Sequence, residues 1–210
     1  MSSFNELADA VLNGNFQKVK EITLEMIDSK VDPLRIINEG LIAGMNIVGV
    51  RFKAEDMYVP EVMMSAKSMA SGMELIKPLI AESDMPTAGT IVFGTVKGDL
   101  HDIGKSLVCM ILESGGFKVI NLGTDVSPEM FVQAVKEHKP QIVGLSALLT
   151  TTMLNMKTTI ELLIEEGLRD GIKVIIGGAP VSQSFADDIG ADGYGADAMA
   201  AKELCLQLVG

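Results

Sequence analysis

Residues 90–96, with the sequence TIVFGTV, form a short run of β-branched and apolar residues. Comparable runs follow at Lys118 to Asn121, Gln141 to Ser146 and Lys173 to Ile176, and a weaker one lies near Asp192 to Tyr194. Helical patterns separate these runs, and strands that alternate with helices indicate βαβ units with right-handed crossovers. The second half of the chain therefore predicts a doubly wound, flavodoxin-like, five-stranded parallel sheet. Such a sheet binds ligands beyond the carboxyl ends of its strands.

The first half of the chain shows helical periodicity only. A short helix is predicted from Phe4 to Leu12, and Asn15 is a candidate N-cap for a second helix. Asp32 followed by Pro33 is typical of the start of a third helix, and a fourth is predicted to start near Pro60. Four helices joined by short loops predict a four-helix bundle.

A break between the two patterns falls at residues 82–89, ESDMPTAG, where periodicity is lost and both Pro and Gly occur. This composition predicts an interdomain linker. We therefore predict a helical bundle domain over residues 1–85 and a Rossmann-like domain over residues 86–210.

The charge balance excludes several classes of partner. The 210 residues include 17 basic and 28 acidic side chains, which gives a net charge of −11. Nucleic acids and anionic membranes are disfavoured, because binding to their phosphates depends on Lys and Arg. Cys109 and Cys205 are too few for a disulfide framework, and neither a signal peptide nor a bilayer-spanning stretch is evident. We expect a cytoplasmic protein.

The loop after the first predicted strand runs from Val96 to Ser106, VKGDLHDIGKS, and two common interpretations of it fail. A P-loop requires glycine at the position of Asp99, whose carboxylate would repel a phosphate. A zinc site requires at least three converging ligands, and the chain has two histidines, His101 and His138, with no complete ligand set visible.

A third interpretation takes His101 as the single axial ligand of a metal that a macrocycle already holds. Asp99, two residues earlier, can then accept a hydrogen bond from the other imidazole nitrogen. The segment Asp99 to Gly104, DLHDIG, resembles the Asp-x-His-x-x-Gly signature of cobalamin-binding domains. Ser146-Ala147-Leu148 and Gly177-Gly178 are similar to the Ser-x-Leu and Gly-Gly elements of that family, each after a predicted strand. Turn glycines and a strand-end serine are the alternative for each element taken alone.

The resemblance implies that the nucleotide tail of the cofactor enters a slot between the sheet and its helices. His101 then replaces the tail base on cobalt, in a base-off, histidine-on state, and a relay links His101, Asp99 and Thr152. The loops 99–104 and 123–127 are expected to be exposed. The cofactor-binding residues that the resemblance implies here, with His101 as the metal ligand, are Gly98, Asp99, His101, Asp102, Ile103, Gly104, Ser146, Leu148, Thr150, Thr152, Gly177 and Gly178.

The N-terminal bundle is similar to the cap of methionine synthase and of the small corrinoid proteins of methyltransferase systems. The similar stretches are 44–52, GMNIVGVRF, and 57–62, MYVPEV. In that family this region covers the upper face of the cobalt, which implies contacts from Phe52, Tyr58, Val59 and Val62. Ordinary packing inside the bundle is the alternative for these four side chains.

The resemblance covers nearly the whole chain and implies a corrinoid methyl carrier of one-carbon metabolism, the non-catalytic subunit of a multi-component system. Such a carrier accepts a methyl group on Co(I) from a substrate-specific methyltransferase. It donates the group from methyl-Co(III) to a second methyltransferase that uses tetrahydrofolate or coenzyme M, and a reductive activase is expected as a further partner. The alternatives are a cobalamin-dependent regulator and the cobalamin subunit of a mutase. Methanol, methylamines, methoxylated aromatics and glycine betaine all stay open as methyl donors.

Overall fold

The computed structural model describes residues 3–80 and 87–210. The chain divides into two compact units, Met1–Pro86 with Ser114–Gly116, and Thr87–Glu113 with Phe117–Gly210. Of the predicted linker 82–89, residues 82–86 lie outside the described residues, and Gly89 is the first residue of a strand. No helix in the two described ranges is long and apolar enough to cross a bilayer.

The first unit is helical, as predicted. Its third helix is continuous but mixed in type, since a π-helical segment separates two α-helical parts, which the sequence did not predict. The helices are α1 (Phe4–Leu12), α2 (Phe16–Asp28), α3 (Pro33–Arg35), the π segment (Ile36–Ile42), α4 (Ala43–Lys53), α5 (Val59–Ile76) and a closing 3₁₀ turn (Lys77–Leu79).

The predicted helix starts are confirmed by their capping contacts. The Asn15 side chain accepts a hydrogen bond from the Lys18 amide at 3.1 Å, and Asp32 accepts one from the Leu34 amide at 3.0 Å. α5 packs closely against α2 at Gly72, where an added Cβ would lie 3.0 Å from a methyl carbon of Val19.

The second unit is a five-stranded, all-parallel sheet in the order β2-β1-β3-β4-β5, which confirms the flavodoxin-like prediction. Each strand begins and ends within one residue of its predicted position. The strands are β1 (Gly89–Thr95), β2 (Phe117–Asn121), β3 (Ile142–Ser146), β4 (Lys173–Gly177) and β5 (Gly193–Gly195). The helices are α6 (Ile103–Ser114), α7 (Pro128–His138), α8 (Leu154–Glu165), α9 (Gln183–Ile189) and α10 (Ala198–Val209).

The two faces of the sheet carry separate cores. Ile91 and Phe93 of β1 pack with α6 and α10, whereas Val92 packs with α7, α8 and α9. The strand order reverses between β1 and β3, which are neighbours in the sheet. The carboxyl ends of these two strands therefore form the switch point where doubly wound folds bind ligands.

Candidate functional site

The β1–α6 loop is held in place by contacts with β1 and with the loop after β2. The Thr95 hydroxyl donates to the carbonyl oxygen of His101 at 3.0 Å. Gly98 adopts a φ of +80°, and its amide donates to Oδ1 of Asp125 at 2.7 Å. The amide of Asp125 in turn donates to the carbonyl oxygen of Asp99 at 2.9 Å. His101 is thus presented by a loop with a defined backbone.

Asp99 is fully buried at the base of this loop, although the loop was predicted to be exposed. The prediction holds for the neighbouring residues 100–104 but was wrong for Asp99. Its Oδ2 accepts hydrogen bonds from the Thr152 hydroxyl at 2.6 Å and the Leu148 amide at 2.8 Å. The carboxylate is buried because it joins the β1–α6 loop to the β3–α8 loop.

The hydrogen bonds to Asp99 favour its ionised form. Burial by itself would raise the pKa of this carboxyl. The donors Thr152 Oγ1, the Leu148 amide and the amide and ring of His101 outweigh burial and hold the pKa well below its ordinary value. Asp99 is therefore an anion that can only accept hydrogen bonds.

His101 is oriented by Asp99 and is otherwise open. Its Nδ1 lies 2.7 Å from Oδ1 of Asp99, and half of its side chain is exposed. Since the carboxylate can only accept, Nδ1 carries the proton of this contact, and Nε2 is the candidate ligand nitrogen. Nε2 has no hydrogen-bond partner in the ranges 3–80 and 87–210. The geometry presents one nitrogen ligand to a metal.

Several large apolar side chains are exposed in the β1–α6 and β3–α8 connections and at the starts of α6 and α8, at the same edge of the sheet as His101. Ile103 is 89% exposed, although it starts a helix next to a packed core. The sequence did not lead us to three of these side chains, those of Leu100, Leu149 and Leu154. The signal that could have found them is large apolar residues in the segments that follow predicted strands. The exposed set consists of Leu100, Ile103, Leu148, Leu149 and Leu154. An exposed apolar patch beside an open imidazole nitrogen fits a flat, largely apolar ligand.

The start of α6 is fixed by a buried lysine whose role the sequence did not reveal. The side chain of Lys105 is fully buried, and its ammonium lies 2.5 Å from Oδ1 of Asp102 and 2.6 Å from Oδ1 of Asn121. Hydrogen bonds from Lys105 and Ser106 lower the pKa of Asp102. Because the Lys105 ammonium already binds Asp102 and Asn121, it is not available to bind a phosphate. This argues against the P-loop interpretation.

Small residues form a continuous row across the carboxyl edge of the sheet, on the face covered by α6 and α10. Thr95 pairs with Ser146, Ser146 with Gly177, and Gly177 with Gly195. Side chains alternate along a strand, so Thr95 lies on the same face as Phe93, which packs against α6 and α10. We call these four residues the small-residue row. At Gly104 of α6, an added Cβ would meet no atom within 4 Å.

Gly178, next to this row, has a different reason to be glycine. Its φ is +128°, and an added Cβ would clash with the carbonyl oxygen of Ala147 at 1.8 Å. Its lack of a side chain makes room for the β3–α8 loop rather than for a ligand. Thr150 in that loop is exposed.

The four predicted cap residues in the first unit differ in accessibility. Tyr58 is 70% exposed and Val59 is exposed as well, whereas Phe52 is half-buried. Val62 is 2% exposed and belongs to the core of the bundle. A side chain buried to this degree offers little surface to a ligand.

Other candidate groups do not form a site. No cluster of three or more His, Cys, Asp or Glu side chains that could hold a metal occurs within the described part of the chain. A metal at His101 would therefore need its other ligands from a cofactor. Cys109 and Cys205 are buried free thiols, and burial raises the pKa of each to about 12, so neither is a reactive thiolate.

Comparisons with known proteins match both halves of the chain. One B12 binding domain family matches residues 89–202, and a second B12 binding domain family matches residues 3–77. A corrinoid protein of Desulfitobacterium hafniense strain Y51 is 43% identical over 213 residues, which cover 100% of this chain and 99% of the relative. A dimethylamine corrinoid protein of Methanosarcina barkeri is 46% identical over 194 residues, which cover 92% of this chain and 91% of the relative.

Two solved structures share the fold over nearly the full length. A crystal structure of a novel cobalamin-binding protein from Desulfitobacterium hafniense DCB-2 has a TM-score of 0.81 and 32% identity and covers 100% of both chains. The methanol:cobalamin methyltransferase complex MtaBC from Methanosarcina barkeri contains a chain with a TM-score of 0.87 and 34% identity, over 95% of this chain and 76% of that one.

Proposed function

The chain belongs to the family of B12-binding corrinoid proteins of methyltransferase systems, and on this premise we propose that it carries a methyl group between two methyltransferases on a corrinoid bound at His101. The observation that carries the proposal is the orientation of His101 by a buried, ionised Asp99, which leaves Nε2 open within an apolar rim. When bound, the corrinoid supplies the cobalt that holds the transferred methyl group.

The residues present fit such a cofactor. A metal held by a macrocycle needs one protein nitrogen, and His101 offers one. The exposed side chains of Leu100, Ile103 and Leu148 fit the edge of a macrocycle, and an apolar surface excludes water from it. Gly98 and Asp102 act by shaping the loop, through their bonds to Asp125, Lys105 and Ser106.

The small-residue row fits the nucleotide tail of a base-off corrinoid. Ser146 offers a hydroxyl, and Gly177 and Gly104 leave space next to the backbone. Thr150, which is exposed in the β3–α8 loop, offers a second hydroxyl. Gly178 contributes by allowing the β3–α8 loop to lie where it does.

Asp99 and Thr152 control the chemistry of His101. The carboxylate holds the proton on Nδ1, so that Nε2 is the nitrogen that would bind the metal. The 2.7 Å contact with Asp99 would hold the ring in one orientation, with Nε2 directed away from the carboxylate. The Thr152 hydroxyl donates to Oδ2 of this carboxylate and keeps it aligned with the imidazole.

We propose from the resemblance that the two domains divide between residues 85 and 86. On the same basis, residues 1–85 act as a cap, with Phe52, Tyr58 and Val59 as its contacts. The burial of Val62 supports a packing role for this residue instead. The protein from the methanol:cobalamin methyltransferase complex supports a methyltransferase as partner. A second methyltransferase that uses tetrahydrofolate or coenzyme M, a reductive activase and a cytoplasmic location complete the proposal.

Spectroscopy of the cob(II)alamin complex tests the proposed ligation. The apo-protein is mixed with hydroxocobalamin, reduced to Co(II), and its electron paramagnetic resonance spectrum is recorded with ordinary and with ¹⁵N-histidine-labelled protein. The label should convert the nitrogen splitting of each cobalt line from a triplet to a doublet, because a histidine nitrogen binds the metal. His101→Ala should abolish this response, and His138→Ala, at the end of α7, should keep it.

Two results would contradict the proposal. A triplet that is the same in labelled and unlabelled protein would mean that the tail base of the cofactor remains on cobalt. Absence of corrinoid binding to the wild-type protein would remove the carrier function altogether.

A further inference from the structure

One buried lysine in the second unit has no counter-ion. Lys202 lies on the inward face of α10 with Ala198, Ala201 and Cys205, and it is 7% exposed. Its ammonium forms no hydrogen bond or ion pair with any residue in the described ranges. The ammonium nevertheless keeps some exposure to solvent. Among the described residues, the one fully buried side-chain polar atom without a hydrogen-bond partner is Thr23 Oγ1.

The fold places Lys202 beside the small-residue row. α10 starts directly after β5, at the carboxyl edge of the sheet, and Lys202 is about 6 Å along its axis from Ala198. An added Cβ on Gly195, the last member of the row, would meet Ala201 at 2.9 Å. One turn after Lys202, Cys205 packs in the core that α6 and α10 share. Along α10, Lys202 therefore lies between Ala201, which approaches the row, and Cys205, which packs in this core.

An unpaired ammonium in such a position is costly. Burial disfavours the charged form and lowers the pKa of Lys202. The other buried lysine among the described residues, Lys105, is paired with Asp102 and Asn121. The acidic neighbour Glu203 raises the pKa of Lys202 only through charge, without direct contact. The position is therefore suited to an anion that is supplied from outside the chain.

We propose that Lys202 binds the phosphodiester of the nucleotide tail of the corrinoid. This inference rests on the proposed function, because it requires the tail to occupy the slot along the small-residue row. The phosphodiester is the anionic group of cobalamin, and a charge-assisted hydrogen bond from a partly desolvated ammonium is among the stronger polar contacts. Lys202 then contributes to affinity for the complete cofactor and not to the chemistry at cobalt.

Binding of three corrinoids to the apo-protein tests the assignment. The ligands are cobalamin, cobinamide, which lacks the nucleotide and its phosphate, and cobinamide phosphate, which lacks only the nucleoside. Lys202→Met should weaken cobalamin binding roughly 10- to 100-fold, in line with a charged hydrogen bond. Cobinamide binding should be unchanged, and the advantage of cobinamide phosphate over cobinamide should disappear. Lys157→Met, an exposed lysine on α8, is the matched control and should change affinity by less than about twofold.

The outcomes separate this inference from the carrier function. If wild-type protein binds cobalamin and Lys202→Met binds it equally well, the role of Lys202 is refuted and the carrier function stands. An equal loss for cobinamide and cobalamin would also refute it, because the effect would not involve the tail. If wild-type protein fails to bind cobalamin, the proposed function itself fails. Should Lys202→Met not fold, Lys202→Gln, which is one atom shorter and keeps a polar donor without the charge, is expected to show the same ligand pattern.

Discussion

Oδ1 of Asp99 lies 2.7 Å from Nδ1 of His101, and the carboxylate has no exposed surface whereas half of the imidazole is open. The pair therefore combines a rigid, buried anion with an accessible nitrogen. This combination is expected of a ligand whose tautomer must be set by the protein before any metal arrives.

Replacing the carboxylate by an amide should weaken the ligand. Asp99→Asn retains the shape of the side chain but removes the charge that favours a proton on Nδ1. We expect corrinoid affinity to fall roughly 10- to 100-fold, as for other partners of metal-bound histidines. Titration of the apo-protein with hydroxocobalamin measures the loss. Asp188→Asn, an exposed acidic residue of α9, is the control, and an equal loss there would contradict the prediction.

Acid should destabilise the apo-protein through Asp99. Its pKa is lowered in the folded state, so the ionised carboxylate stabilises the fold above the unfolded-state pKa of about 4. This contribution is lost as the pH falls below that value towards the lower folded-state pKa. Urea unfolding at a series of pH values should show a steeper loss of unfolding free energy below pH ~4 for wild type than for Asp99→Asn. Parallel curves for the two proteins would contradict the assignment.

The hydroxyl of Thr152 should contribute to the stability of the fold. Thr152→Val keeps the shape but leaves one acceptor of the buried Asp99 without its 2.6 Å donor. We expect a cost of about 1–3 kcal/mol in unfolding free energy. Thr152→Ser, which restores the hydroxyl, should recover most of it. Thermal or urea unfolding of the apo-proteins compares the two variants. Equal unfolding free energies for Thr152→Val and Thr152→Ser would show that the hydrogen bond contributes nothing to stability.

Two glycines of the site should respond in opposite ways. In Gly178→Ala, the alanine would have to adopt a φ of +128°, and its Cβ would clash with the Ala147 carbonyl oxygen. The substitution should therefore destabilise the apo-protein by about 3 kcal/mol or more. Gly104→Ala has free space in α6 and should be neutral or stabilising by up to about 1 kcal/mol.

A larger side chain tests the function of that space. Gly104→Leu should leave the apo-protein folded and reduce corrinoid binding, because the side chain would project into the space proposed for the cofactor. Circular dichroism and cobalamin titration check both parts. Full binding by Gly104→Leu would show that the cofactor does not use the space beside α6.

The elements of the fold were predictable because their signals are local. β-branched runs located four strands, and a weaker run located the fifth, each to within one residue, and Asn15 and Asp32 marked helix starts through their own side chains. The π segment Ile36–Ile42 was not predicted, because its hydrogen-bond pattern depends on how the helix packs rather than on residue type. Lys105 was overlooked for a similar reason, since its partner Asn121 belongs to another strand.

The sequence by itself determined the two-part architecture, the family resemblance and the identity of His101 as the candidate ligand, because periodicity and a motif of six residues are carried by neighbours along the chain. Only the tertiary structure decided that Asp99 is buried, that Gly178 makes room for Ala147 and that Lys202 has no counter-ion beside the small-residue row. Burial, close approach and the pairing of charges depend on residues that are distant in sequence, and these become neighbours only when the parallel strands align their carboxyl ends.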